Sequence, residues 1–169
     1  HTEYDYPPNV KVAYWSFDKM RERAQQIYDF PISLDRPYKL CDFKPAYGEI
    51  FAEELKGYDF WGDCDIDLVW GDIRKFYTDE ILSKYEKIGF NGHSMLFKNS
   101  PEVCSRYRTH FDGALDYHEA LGNDKSYAFD EPGMDAIYEG LSIPVYKGID
   151  FANLLKYDYG LSRLARRGR

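Results

Sequence analysis

Two carboxylates separated by a single residue, Asp65 and Asp67, follow an apolar and aromatic stretch of the chain. In an extended strand the side chains of residues i and i+2 point to the same face, which would place these two Cα atoms about 6–7 Å apart. Two anions at that distance repel each other unless a cation or a shared proton lies between them. Mg²⁺ and Mn²⁺ take oxygen ligands of this kind, with phosphate and water filling the remaining positions. The pair therefore predicts a seat for a metal ion and a phosphate group.

The position of this pair distinguishes it from an accidental one. Pairs of this spacing arise by chance in a chain with 29 acidic residues, and most such residues are solvated. This pair, however, comes directly after Phe60 and Trp61, and ligands of α/β sheets bind just outside the carboxyl ends of strands. Asp63 has the same parity, so it is either a further ligand or the point where the strand leaves the core.

The elements that carry these residues alternate between strand and helix. Apolar spacing predicts a strand at 10–14, a helix that begins after Ser16, and a second helix at about 40–55 with Asp42 as its N-cap. This alternation predicts an α/β fold with a mostly parallel sheet flanked by helices. Further along, the pattern predicts a helix at 78–85, a strand at 92–97, a helix from 101 with Ser100 as its N-cap, a short strand at 127–129, a helix from 134 and a strand at 143–146.

Length, charge and cysteine content restrict the class of protein. We expect residues 1–169 to form a single domain, with a linker-like N-terminus at 1–9 and a basic tail at 161–169 that is solvated or faces a membrane. The net charge of −7 argues against a nucleic acid as partner. Three widely spaced cysteines and the lack of an apolar run of about 18 residues predict a cytoplasmic protein, with the inner face of the membrane as an alternative place.

Several stretches resemble the centre of a GT-A-fold glycosyltransferase, and are similar to bacterial transferases of polysaccharide biosynthesis. The most specific block is 38–73, which reads YKLCDFKPAYG at 38–48 and YDFWGDCDIDLVWGDI at 58–73. The resemblance continues through GHSMLFKN at 92–99 and AFDE at 128–131, and so spans about 6–146.

This resemblance implies a donor site. In such families the Asp-x-Asp, here Asp65 and Asp67, binds Mn²⁺ or Mg²⁺, and the metal holds the diphosphate of a nucleotide-sugar. A basic residue and an acid at the start of the preceding helix, here Lys44 and Asp42, face the donor sugar and phosphate. The ordinary interpretation of these last two residues is a surface lysine and a helix cap.

The resemblance also implies an acceptor side, for a glycan or a lipid-linked acceptor. His93 follows a glycine in the strand that lines this side, and it either contacts the acceptor or ends a turn. Asp130 and Glu131 match the acidic turn near the transferring sugar, where they would be the catalytic residues. Acids are also favoured at a helix N-terminus for purely structural reasons.

One departure from the family pattern leads us to expect a fragment of a longer transferase, since nothing before Val10 corresponds to the βαβ unit that holds the nucleotide base in GT-A proteins. In the family a downstream histidine in a His-x-x-Gly setting supplies a third metal ligand; His110 and Gly113 have this spacing, but we assign no histidine to that role. Two alternatives stay open. One is a phosphatase of the haloacid-dehalogenase type, with Asp65 as nucleophile, Asp67 as acid–base and Mg²⁺ as cofactor. The other is a transferase remnant without catalysis.

Overall fold

A small mixed sheet forms the centre of the structure, a computed structural model that describes residues 4–90 and 92–148. Its strands are β1 (Phe60–Cys64), β2 (Lys87–Ile88), β3 (Ser94–Lys98) and β4 (Val145–Tyr146), in the order β1-β3-β2-β4. β3 is antiparallel to both β1 and β2, and β4 is parallel to β2.

The predicted α/β class is confirmed, but the prediction of a mostly parallel sheet is wrong for the described strands. Only residues 89–93 join β2 to β3. A parallel pair needs a crossover of about a dozen residues or more, so this short connection permits only an antiparallel one.

Helices lie against this sheet along most of the described chain. The predicted caps Ser16 and Ser100 are confirmed, since their hydroxyls accept hydrogen bonds from the backbone N–H groups of Lys19 and Val103. The α-helices of the described residues are α1 (Phe17–Gln25), α2 (Leu40–Phe43), α3 (Tyr47–Ile50), α4 (Asp79–Lys84), α5 (Pro101–Cys104), α6 (Tyr117–Gly122) and α7 (Met134–Gly140). None of them is long and apolar enough to cross a lipid bilayer.

The helices α2 and α3 belong to one helical segment that lies on the sheet. Short 3₁₀ turns at Pro37–Lys39 and Lys44–Ala46 join them, and we call residues 37–50 the anchor segment. The segment approaches β1 closely at Gly48, where a Cβ atom would lie 2.7 Å from the ring of Trp61. Trp61 in turn stacks on Phe97 of β3, with ring centroids 4.8 Å apart. This contact fixes the anchor segment against β1 and β3 near the start of β1.

Three local expectations are wrong, for identifiable reasons. Residues 10–14 form no strand, because no described strand pairs with them and the side chains of Val10, Val12 and Tyr14 stay exposed. Asp42 does not cap a helix, because the helical segment already begins at Pro37. Residues 127–129 are not a strand either, as described below. The basic tail at 161–169 and the first three residues of the linker lie outside the described residues.

The stretch that was expected to be a strand is instead a sharp turn. Ala128 is left-handed, with φ 52° and ψ 47°, and Phe129–Gly133 then form a π-helical turn that leads into α7. A left-handed conformation costs an L-residue about 1–2 kcal/mol, so other contacts must hold this backbone in place. We call residues 127–131 the acidic turn.

This geometry predicts opposite effects for two alanine-to-glycine substitutions. In Ala128→Gly the left-handed strain disappears, which offsets the greater freedom of the unfolded chain, so the free energy of unfolding should stay the same or rise by up to about 1 kcal/mol. In the matched control Ala136→Gly, inside α7, it should fall by about 1 kcal/mol. Denaturant unfolding of both variants measures this. Equal destabilisation would show that Ala128 is not strained.

Candidate functional site

The strand that carries the Asp-x-Asp pair ends earlier than the sequence suggests. β1 finishes at Cys64, the N–H of Asp65 still donates to the carbonyl of His93 at 2.9 Å, and residues 66–67 turn away. The strand parity therefore brings Asp63 and Asp65 to one face, and Asp67 does not share it. Asp67 is exposed and has no hydrogen bond or ion pair to any described residue.

A single ammonium group lies among three carboxylates at the end of β1. Nζ of Lys44 lies 3.1 Å from Oδ1 of Asp65, 3.4 Å from Oδ2 of Asp63 and 3.5 Å from Oδ2 of Asp130. It also donates a hydrogen bond of 2.7 Å to the carbonyl of Gly92. These five residues come from the anchor segment, from β1 and the residue that follows it, from the acidic turn and from the connection before β3. We call Lys44, Asp63, Asp65 and Asp130 the Lys44 cluster.

Burial dominates the electrostatics of this cluster. The side chains of Asp63 and Asp130 are 5% and 7% exposed, and burial raises the pKa of each carboxyl to about 6 despite the nearby ammonium. Burial alone would lower the pKa of Lys44, but the surrounding carboxylates outweigh it and raise that pKa above its usual range. Asp65 is more exposed, and hydrogen bonds from Lys44 and His93 outweigh its partial burial and lower its pKa.

His93 and Glu131 complete the contact between the end of the sheet and the acidic turn. Nδ1 of His93 lies 3.2 Å from Oδ2 of Asp65. Oε1 of Glu131 accepts a hydrogen bond of 2.7 Å from the N–H of Gly92. A Cβ atom on Gly92 would lie 2.5 Å from that same oxygen, so only glycine permits this close approach. Among the residues singled out from the sequence, Lys44, Asp65, His93, Asp130 and Glu131 are thus brought together.

Asp42 lies outside this group. Its side chain is 1% exposed and forms an ion pair of 2.9 Å with Lys39. Its carboxylate also accepts hydrogen bonds from the backbone N–H groups of Tyr127 and Phe129. This placement argues against the contact with a donor substrate that was expected of Asp42.

Sequence reasoning left the role of Asp63 open and missed Lys39 and Gly92. The signal for Asp63 was its spacing, because it lies two residues before Asp65 and so shares a face with it in an extended strand. The sequence gives no signal for Lys39. Two of its partners, Ala120 and Lys125, lie more than 80 residues away, and the third, Asp42, lies three residues along the chain. Gly92 precedes His93 in the stretch that resembles a transferase, but the acid that needs its missing side chain is 39 residues further along.

The Lys44 cluster has suitable donor atoms for a hard metal ion, although the ammonium group of Lys44 occupies the position between the carboxylates. Carboxylate oxygens suit Mg²⁺ and Mn²⁺. Both oxygens of Asp63 are buried without a hydrogen-bond donor, which is costly unless positive charge lies close by. As they stand, no three His, Cys, Asp or Glu side chains of the described residues are arranged to hold a metal ion. The carboxylates fit the ion chemically; Asp65, at 37% exposed, is the one of the three that solvent reaches most, and the exposed Asp67 lies two residues further along the chain.

Comparison with known proteins gives one match. The family model described as "Family of unknown function (DUF6625)" matches residues 1–167. No curated protein and no solved structure matches the chain significantly.

The raised pKa of Asp63 predicts a distinctive pH dependence of stability. The native carboxyl titrates at about 6 and the unfolded one at 3.8, so the native state binds more protons between these values. The free energy of unfolding should therefore gain a contribution from Asp63, of about 1–3 kcal/mol, as the pH falls from 7 to about 4.

Asp63→Asn should lose this contribution, because the amide does not titrate. Asp59→Asn, which changes an exposed carboxylate just before β1, should keep it. Denaturant unfolding at pH 7, 6 and 5 measures the difference between each variant and the wild type. A pH dependence in Asp63→Asn equal to that of the wild type would show that Asp63 is an ordinary carboxyl.

Proposed function

We propose that this chain, which belongs to the DUF6625 family of unknown function, is the catalytic core of a metal-dependent glycosyltransferase. It would move a sugar from a nucleotide-sugar to a glycan or a lipid-linked acceptor. The observation that carries the proposal is the convergence of Asp63, Asp65 and Asp130 on Lys44 just beyond the end of β1. Perturbed and mutually facing acids at such a point are typical of sites that do chemistry.

The support comes from the site more than from the sheet. A GT-A-like fold would place an Asp-x-Asp after a strand and an acidic turn opposite it, and the positions of Asp65 and Asp130 agree with that arrangement. The described strands do not support the mostly parallel sheet of that fold. The likeness to GT-A proteins is therefore part of the proposal.

The donor end of the proposed site contains Asp65, Asp67 and Lys44. Asp65 and Asp67 would hold Mn²⁺ or Mg²⁺, which, when bound, neutralises the charge on the departing nucleoside diphosphate. Lys44 and His93 fix the carboxylate of Asp65 through both of its oxygens, so that this ligand is oriented in advance. Asp67 is free of other partners among the described residues and open to solvent, from which a ligand would arrive.

The acceptor end is the acidic turn. A carboxyl with a pKa of about 6 is mostly ionised at neutral pH yet able to take a proton, which suits the activation of an acceptor hydroxyl. Asp130 would orient that hydroxyl or stabilise positive charge at the anomeric carbon of the sugar. Glu131 accepts a hydrogen bond from the N–H of Gly92, which connects the acidic turn to the residue before His93.

A phosphatase that uses Asp65 as nucleophile is the competing function. One observation favours it: residues 10–14 are not a strand, so β1 is the first strand of the described chain, where that class carries its Asp-x-Asp. Against it, Lys44 and His93 each bond one oxygen of Asp65, which stabilises the carboxylate and weakens it as a nucleophile while leaving a lone pair on each oxygen for a metal ion. Hydrolysis of an aryl phosphate would distinguish this activity from sugar transfer.

The proposal predicts that nucleotide-sugars raise the melting temperature of the protein, and release free sugar, only when Mn²⁺ is present. Asp65→Asn should lower the release at least about tenfold, because it removes a charged ligand oxygen. Asp59→Asn, which changes a neighbouring exposed carboxylate, should leave the release unchanged.

A panel of nucleotide-sugars, assayed with Mn²⁺ and with chelator, tests this. Release that needs no metal, or that survives Asp65→Asn, would contradict the proposed site. Hydrolysis of aryl phosphate without any response to nucleotide-sugars would favour the phosphatase.

A further inference from the structure

We infer that Lys39 and Asp42 are positioning residues, whose buried ion pair holds the acidic turn so that Asp130 reaches Lys44. The inference concerns the geometry of the Lys44 cluster. It bears on catalysis through the proposed function, on which it rests to that extent.

The first step is the contact between Asp42 and the backbone on either side of Ala128. Oδ1 of Asp42 accepts a hydrogen bond of 2.9 Å from the N–H of Phe129, and both oxygens accept from the N–H of Tyr127, at 3.1 and 3.2 Å. Backbone N–H groups around a left-handed residue form a concave site for an anion. The carboxylate of Asp42 fills that site and so stabilises the left-handed conformation of Ala128.

The second step is that both members of the pair have no capacity left for a ligand. Nζ of Lys39 donates to Oδ2 of Asp42 and to the carbonyls of Ala120 and Lys125, which uses its three protons. Both side chains are 1% exposed. Any effect of the pair on the Lys44 cluster must therefore pass through the segments that it binds, which are the start of the acidic turn and the end of α6.

The third step is that few residues along the chain separate this pair and its contacts from the Lys44 cluster. Phe129, whose N–H binds Asp42, immediately precedes Asp130, whose carboxylate lies 3.5 Å from Nζ of Lys44. Lys44 itself follows Asp42 by two residues in the anchor segment. The same segment thus holds the backbone before Asp130 and the carboxylate of Asp130, and loss of the first contact should loosen the second.

The test compares Asp42→Asn with Glu49→Gln. Glu49 is a part-buried carboxylate of the same anchor segment, paired with Arg108 and with no hydrogen bond to the acidic turn. In Asp42→Asn we expect the amide hydrogen of Phe129 to exchange at least about tenfold faster, because a hydrogen bond to a charged acceptor is weakened. The ¹³Cγ resonance of Asp130 should shift as well. In Glu49→Gln both readouts should stay as in the wild type.

The activity readout separates this inference from the proposed function. If the chain releases sugar from a nucleotide-sugar, Asp42→Asn should lower kcat about tenfold or more while KM stays within about twofold, since Asp130 is displaced and donor contacts are kept. Changes at Phe129 and Asp130 in a protein that shows no such activity would support the positioning role and count against the transferase.

Three results would overturn the inference. The first is a Phe129 amide and an Asp130 resonance that are unchanged in Asp42→Asn. The second is the same change in Glu49→Gln. If Asp42→Asn does not fold, we expect the double variant Asp42→Asn/Ala128→Gly to fold, because glycine adopts the left-handed conformation without strain. The third result is a double variant that stays unfolded, which would show that the pair stabilises the fold in general and does not position the acidic turn.

Discussion

The buried carboxylate of Asp42 is the constraint on which the arrangement of the site depends. A charged group without solvent is tolerated only when it is paired and fully hydrogen-bonded, and Asp42 meets this condition with one ammonium and two backbone N–H groups. The ammonium is that of Lys39 in the anchor segment, and the N–H groups are those of Tyr127 and Phe129 in the acidic turn. The same carboxylate therefore fixes where the acidic turn crosses the anchor segment, and the close contact of Gly48 with Trp61 fixes where that segment lies on the sheet.

This scaffold has an electrostatic consequence. It brings three carboxylates to one ammonium in a site that is largely shielded from water, so negative charge exceeds positive charge there. Burial then raises the pKa values of Asp63 and Asp130, and the buried oxygens of Asp63 lack a hydrogen-bond donor. A site of this kind gains stability from added positive charge, whether from a proton or a cation. That property links the stability of the fold to the chemistry we propose.

The sequence predicted the parts of this account that depend on local signals. The caps Ser16 and Ser100 and the strand before Asp65 come from residue types and spacing, and the structure has them. The resemblance to transferases singled out Lys44 and Asp130, which do meet Asp65.

The rest could not be found in the sequence because it depends on long-range packing. β2 has two residues, too few for a periodic pattern. Asp42 has the residue type of a helix cap, and the backbone N–H groups that it binds in the acidic turn lie 85 and 87 residues away. Ala128 has no residue type that favours a left-handed turn, since the contacts that stabilise it come from Asp42.

The most direct test of the account is the turnover of Asp130→Asn, measured as release of sugar from a nucleotide-sugar with Mn²⁺. Asparagine keeps the size of the side chain and one acceptor oxygen, and removes the charge. The account predicts that turnover falls about a hundredfold or more, because a positioned acid–base group is lost, while the protein stays folded. Turnover close to that of the wild type would contradict it, and would leave Asp130 a structural residue of the acidic turn.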